Sequence, residues 1–183
     1  MDRHIKNGYV LYCDGSYRPQ DRAAGTAVLM IKMVDGQAAE FQLNAKVERT
    51  TSSHTTELMA LKNALTWAKK LSSKHGLPIQ IIPDYDRSAE ILADSPGCSK
   101  NRHYHHLREA AGPLLPKLIV SCVKGHAGNP YNALVDRASR WIAQEKSLHK
   151  RWKKGLCKSL ENKGCQPSEI PTELFLNSYQ QEN

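Results

Sequence analysis

The order of its hydrophobic periodicities constrains this chain most. Gly8 to Asp14 alternates and is rich in Tyr and Val, the pattern of a half-buried strand. Ala23 to Met33 and Ala38 to Val47 read as two more strands, joined by Asp35-Gly36, a good two-residue hairpin turn. Three strands in a row predict an antiparallel meander. The period then changes. Leu58, Leu61, Leu65, Ala68 and Leu71 recur at threes and fours, predicting an amphipathic helix that begins in the polar stretch Thr50–Thr56. After it come a strand over Ile79–Tyr85, a short helix over Arg87–Leu92, a helix over His103–Leu115, a strand over Lys117–Val123 and a helix over Asn129–Gln144. A meander followed by strand–helix alternation predicts an α/β fold with a five-stranded mixed sheet. Antiparallel strands come first, parallel strands are added through helical crossovers, and helices flank the sheet.

The 183 residues suffice for one domain with a full core, expected over 1–145. Residues 146–183 differ in kind. Lys146, Lys150, Arg151, Lys153, Lys154, Lys158 and Lys163 crowd around Trp152, and polar residues and Pro fill the remainder. They predict a basic helical extension over 146–163, suited to phosphates, and a flexible tail over 164–183. The net charge of +8 points to a polyanionic partner, nucleic acid before an acidic membrane surface. Mean hydropathy is −0.57, and no run approaches the roughly 18 apolar residues of a membrane span. The start, Met1-Asp2-Arg3-His4-Ile5-Lys6, has no apolar signal core. Five scattered cysteines (Cys13, Cys98, Cys122, Cys157, Cys165) form no Cys-x-x-Cys pair and read as reduced thiols, so a cytoplasmic protein is expected.

Four acids stand in matching settings. Asp14 ends the first strand, Glu57 lies at the start of the long helix, and Asp86 follows the fourth strand, with Asp84 as a rival inside it. Asp136 lies on the last helix, on the same face as Asn132 four residues earlier. That helix has Asn129 as its expected cap and Pro130 at its first position, and it follows a Gly-flanked histidine, His126. Neighbouring first and fourth strands would bring Asp14 and Asp86 together. Clustered carboxylates raise one another's pKa unless a cation joins them. Oxygen-only ligands select Mg²⁺ or Mn²⁺, and two such ions suit in-line phosphoryl displacement. A basic protein with this site reads most simply as a nuclease. His103-x-His105-His106 has no acid or Cys partner at ligand spacing, so it is not read as a metal site.

The chain resembles a type 1 ribonuclease H. Tyr12-Cys13-Asp14-Gly15-Ser16, Thr56-Glu57-Leu58-Met59-Ala60-Leu61, Tyr85-Asp86-Arg87-Ser88 and Val123 through Asp136 carry the resemblance, which covers roughly residues 8–144. It implies Mg²⁺-dependent endonucleolytic cleavage of the RNA strand of an RNA–DNA hybrid, and a monomer is expected. It assigns Asp14, Glu57, Asp86 and Asp136 to two metal ions, Mn²⁺ being a possible substitute. It gives His126 a part in proton transfer or product departure, and places Asn132 near the site. Ser16, Ser53, His54 and Ser88 fall where substrate contacts are expected. Ser52-Ser53-His54 stands where many members carry hybrid-contacting Asn residues, and Ser88 where Gln is common. The segment after Asp14-Gly15-Ser16 is Tyr17-Arg18-Pro19-Gln20-Asp21-Arg22 in place of a Gly-rich stretch, and 93–117 lacks the basic, Trp-bearing handle of well-known bacterial members. Two rivals stand beside this reading: a non-catalytic hybrid-binding module on the same fold, and a related DNA nuclease of transposase type.

Overall fold

A computed structural model describes residues 5–20, 22–50, 52–93, 95, 102–121 and 129–145. The His126 loop and the expected extension and tail over 146–183 lie outside the described residues. β1 (Gly8–Arg18), β2 (Ala23–Val34) and β3 (Gln37–Glu48) form the meander. α1 (Ser53–His75) leads to β4 (Ile79–Pro83). The short α2 (Ser88–Leu92) and α3 (Arg102–Ala111) follow, then a 3-10 turn over Gly112–Lys117, β5 (Leu118–Val120) and α4 (Pro130–Glu145). The sheet order is β3-β2-β1-β4-β5, with β1 antiparallel to β2 and parallel to β4. It is the mixed sheet that the periodicities predict.

Strand alternation divides β1 between two cores. Tyr9, Leu11 and Cys13 pack with Leu58, Leu61 and Leu65 of α1 and with Tyr104 and Leu107 of α3. Val10 and Tyr12 pack on the other face with Tyr131, Leu134, Ala138 and Ile142 of α4. The same parity continues past Tyr12, so Asp14 falls on the α4 face and Gly15 on the α1 face.

Two strand ends differ from the expectation, and both differences shape the site. β1 runs on through Asp14-Gly15 to Arg18, because its antiparallel ladder with β2 continues to Arg18↔Ala23. The Asp-Gly turn signal yields to this pairing. Gly15 is needed for close approach, since a Cβ there would lie 2.5 Å from the Thr56 carbonyl oxygen. β4 stops at Pro83 instead of Tyr85, since proline brings no N–H to a ladder. The parallel ladder therefore ends at Cys13↔Pro83, and β1 and β4 part just where Asp14 and Asp84 begin. The Asp84 N–H donates back to the Cys13 carbonyl at 3.3 Å.

The helices end where local chemistry ends them. Ser52 caps α1, its Oγ accepting from the Thr55 N–H at 3.1 Å, and Gly76 closes it at φ +66°. Glu57 therefore sits one full turn inside the helix. α3 stops at Ala111, before Gly112-Pro113, rather than at Leu115. Asn129 caps α4, its Oδ1 accepting from the Tyr131 and Asn132 N–H groups at 3.0 and 3.1 Å. α1 is also tied to the sheet edge by a buried polar knot. Glu48 Oε1 accepts from Thr26 Oγ1, Asn63 Nδ2 and Lys46 Nζ at 3.0, 2.9 and 3.0 Å.

α4 lies directly on β2 at Gly25, where a Cβ would come within 2.4 Å of the Ser139 carbonyl oxygen. Gly25→Ala should push α4 off the sheet and cost about 1–3 kcal/mol of stability, measured by urea denaturation. An unchanged midpoint would refute this account of the contact.

Candidate active site

Asp14 is the innermost acid, only 3% exposed. Ser139 Oγ, reaching across from α4, donates to its Oδ2 at 2.5 Å. Burial pushes the Asp14 carboxyl up to about 6; the Ser139 bond opposes that shift, and the charges of Asp136 and Asp84 add to it. Glu57 descends from α1 onto the same place. Its carboxyl is pushed up to about 8 by burial, then by Asp14, Asp84 and Asp136, while a hydrogen bond from the Gly15 backbone pulls the other way. Asp136, half-buried on α4, is held by Arg140 Nε at 2.8 Å. Asp84 accepts from Asn132 Nδ2 at 3.1 Å. Asn132 Oδ1 is buried and has no hydrogen-bond partner among the described residues.

The structure thus gathers Asp14, Glu57, Asp84 and Asp136 from four separate elements. Asp84 and Asp136 are the acids whose charges raise both Asp14 and Glu57, whereas Asp86 lies exposed two residues beyond Asp84. The expectation that placed Asp86 in the cluster is corrected to Asp84, because Pro83 ends the strand two residues early. Ser88 is corrected too. It is fully buried at the start of α2, its backbone N–H bonded to the Tyr85 carbonyl, so its side chain does not reach a surface where a substrate would lie. Ser16 is half-buried on β1, two residues past Asp14 and on the same face. Ser53 and His54 are exposed on the first turn of α1. His105 and His106 pair with Glu109 on the surface of α3. Among the described residues, no three His, Cys, Asp or Glu side chains already close into a metal cage. The acids are neighbours through space. What fits a cation here is their chemistry: a buried and a half-buried carboxylate, both forced toward their protonated forms, with two further carboxylates beside them.

Two neighbouring features escaped the sequence reading. His54 Nε2 lies 3.2 Å from Tyr104 Oη, and its ring stands edge-on to Tyr85 at 5.3 Å. Burial, then a hydrogen bond shared with Tyr104, pushes the Tyr85 hydroxyl up to about 12. Beyond this wall, Arg49, Lys62, His103 and His106 line a groove of about 500 Å³ between α1 and α3, with Leu58 and Leu107 among its apolar residues. Ser139 has no role in the sequence pattern, although its place three residues after Asp136 on a helix is a readable signal.

The strand order β3-β2-β1-β4-β5, with acids collected where the first and fourth strands separate, defines the ribonuclease H-like class of α/β folds. The chain belongs to the RNase H family, whose profile matches residues 6–144. No curated protein matches it closely. Among solved structures it is similar to a foamy viral protease-reverse transcriptase in complex with dsDNA, with a TM-score of 0.62 at 16% identity over 79% of this chain and 99% of that one. It is similar to RNase H1 of the halophilic archaeon Halobacterium salinarum, with a TM-score of 0.56 at 16% identity over 77% of this chain and 100% of that one. It is also similar to LC11-RNase H1 in complex with an RNA/DNA hybrid, with a TM-score of 0.55 at 16% identity over 75% of this chain and 98% of that one. At such identities the likeness speaks for the fold. No helix among the described residues is long and apolar enough to cross a membrane.

The raised carboxyls carry a consequence for stability. In chelator, the folded chain holds protons on Asp14 and Glu57 more tightly than the unfolded chain does. Stability should therefore fall as pH rises through the ordinary carboxylate range to about 6 and on to about 8. Asp14→Asn keeps an acceptor for Ser139 and removes the charge. It should raise Tm at neutral pH in chelator, by about 2–4 °C for each kcal/mol of repulsion relieved. Calorimetry across pH checks this, and a variant less stable than the parent would contradict it.

Proposed function

We propose that this chain is an endoribonuclease that cleaves the RNA strand of RNA–DNA hybrids by two-metal-ion phosphodiester hydrolysis. One observation carries the reading: four parts of the chain deliver four carboxylates to one place, Asp14 buried and Glu57 half-buried beside it, on a basic chain of the RNase H family. Asp14, Glu57, Asp84 and Asp136 are the residues that would hold divalent cations, Mg²⁺ or Mn²⁺. Two such ions, when bound, supply an activated water and neutralise charge on the phosphate in flight. Cations held there would take the place of the protons that burial, and then neighbouring charge, keeps on Asp14 and Glu57.

The rest of the proposal concerns this chain's own groups. Arg140 and Ser139 fix the directions of Asp136 and Asp14. Asn132 fixes Asp84 with its amide nitrogen and leaves its oxygen to accept from a water or a sugar hydroxyl at the site. His126, in the loop before α4, is assigned to proton transfer by the family resemblance alone. Ser16, Ser53 and His54 rim the acids on the side a hybrid would meet, and 2′-hydroxyls on one strand give such a surface its means of telling RNA from DNA. The groove of Arg49, Lys62, His103 and His106 suits the backbone phosphates beyond. The basic stretch 146–163 is proposed as a further phosphate-binding arm. Complexes of two similar proteins, the viral enzyme and LC11-RNase H1, with RNA/DNA hybrids support this choice of substrate.

A cleavage panel of labelled hybrid, duplex RNA, single-stranded RNA and duplex DNA tests the reading. Cleavage of only the hybrid's RNA strand is expected. Asp84→Asn should lower it more than ~100-fold, beyond the loss usual for an outer-shell group, while Asp86→Asn should stay within a few-fold of the parent. Tight hybrid binding without cleavage would favour a binding module, and the reverse ranking of the two substitutions would overturn the assignment of Asp84.

Phosphate contacts leave their own signature. Removing both Arg49 and Lys62 by alanine substitution should weaken hybrid binding and flatten the slope of log affinity against log salt by about 2. A slope equal to the parent's would remove the groove from the substrate path.

A further inference from the structure

The aromatic wall beside the acids holds more order than packing asks for. His54 stands on the exposed first turn of α1, three residues before Glu57 and so on the same helical face. Tyr85 directly follows Asp84. Both are therefore attached to members of the acid cluster. Tyr104 reaches up from α3, only 6% exposed, and joins them. Its ring lies 6.0 Å from that of His54 at 73°, while Tyr85 stands 5.3 Å away at 72°. An exposed imidazole ordinarily turns among rotamers and tautomers. Here it is gripped edge-on by two rings and at one nitrogen by a hydroxyl.

Proton counting leaves the relay two directions, and each puts the imidazole hydrogen on a different nitrogen. Tyr104 Oη meets both Tyr85 and His54 Nε2, but a phenol has a single proton to give. The favoured direction pairs the more acidic hydrogen, a phenol's, with the more basic acceptor, an imidazole nitrogen: Tyr85 donates to Tyr104, and Tyr104 to Nε2 across 3.2 Å. A neutral imidazole accepting at Nε2 carries its hydrogen on Nδ1, the atom not engaged by this relay. We propose that the relay Tyr85→Tyr104→His54 fixes the imidazole as an Nδ1–H donor for an acceptor atom of the bound hybrid, with Tyr104 and Tyr85 as positioning residues. The proposal rests on the hybrid substrate read above. Minor-groove edges offer an acceptor at every base pair, so such a donor grips without demanding a sequence.

The test combines a spectrum with kinetics on the full chain. Long-range ¹H–¹⁵N spectra, at pH values where the ring is neutral, should show His54 protonated on Nδ1 in the parent. In Tyr104→Phe the signal should move toward the Nε2–H tautomer. The same variant should raise KM for the hybrid about 2–10-fold, the worth of one hydrogen bond, and leave kcat alone. His54→Asn supplies a donor that needs no tautomer, so adding Tyr104→Phe to it should change KM no further. An Nε2–H ring in the parent, an unmoved KM in Tyr104→Phe, or an equal loss in the Asn background would each overturn the proposal. A parent that binds the hybrid without cutting it would overturn the nuclease reading alone, and the dissociation constant would then take the place of KM. A parent that does not bind the hybrid would overturn both.

Discussion

Asp14 is a carboxylate buried in the middle of a sheet, and much of the structure follows from what it costs to keep it there. An ionised carboxylate without partners is among the most expensive groups to remove from water. Here the cost is met in part by Ser139, whose hydroxyl crosses from α4 to the Asp14 oxygen. That bond needs α4 to lie close on β2, which needs Gly25 to have no side chain. It also needs α4 to start in the right place, which Asn129 secures by capping it. The residual strain appears as carboxyls held toward their protonated forms at Asp14 and Glu57. An arrangement of this kind is costly to the apo fold and favourable to a cation.

α1 is held with equal care on the opposite face. Gly15 lets its backbone come against β1, and the knot of Glu48, Thr26 and Asn63 ties it to the outer strands. Both contacts set the height of Glu57 over the sheet. The aromatic wall then joins the first turn of α1 to α3 and to the residue after Asp84. The surface next to the acids is thereby built from three elements instead of one mobile loop. Rigidity there matters because a substrate held loosely by even an ångström loses much of the advantage of binding.

Much of this was legible in the residues. The change of period from alternating to helical placed the strands and helices in their order, and turn and cap residues such as Asp35-Gly36, Asn129 and Pro130 punctuated them. Asp14, Glu57 and Asp136 stood out as acids in matching settings, and the structure draws those three together. In sequence Asp86 stands out over Asp84, because the apolar run Ile79–Tyr85 reads as one strand through Pro83. The proline in fact ends the ladder, so the acid next to it, not the one two further on, stands at the gap. Ser88 illustrates a second limit, since a polar residue on a short helix gives no sign in sequence of which way it faces. Tyr104 and Lys62 give no sign for a similar reason: an aromatic or a lysine on an amphipathic helix is ordinary until its neighbour is known.

The sequence by itself determined the kind of fold and the kind of chemistry, because periodicity, caps and the choice of oxygen donors are local properties that each residue carries with it. Only the tertiary structure decided which acids meet, which serine braces them and which tyrosine holds His54. Those choices depend on where β1 and β4 part and on how closely α1 and α4 approach the sheet. Such distances are sums over packing between residues far apart in the chain, and no local pattern records them.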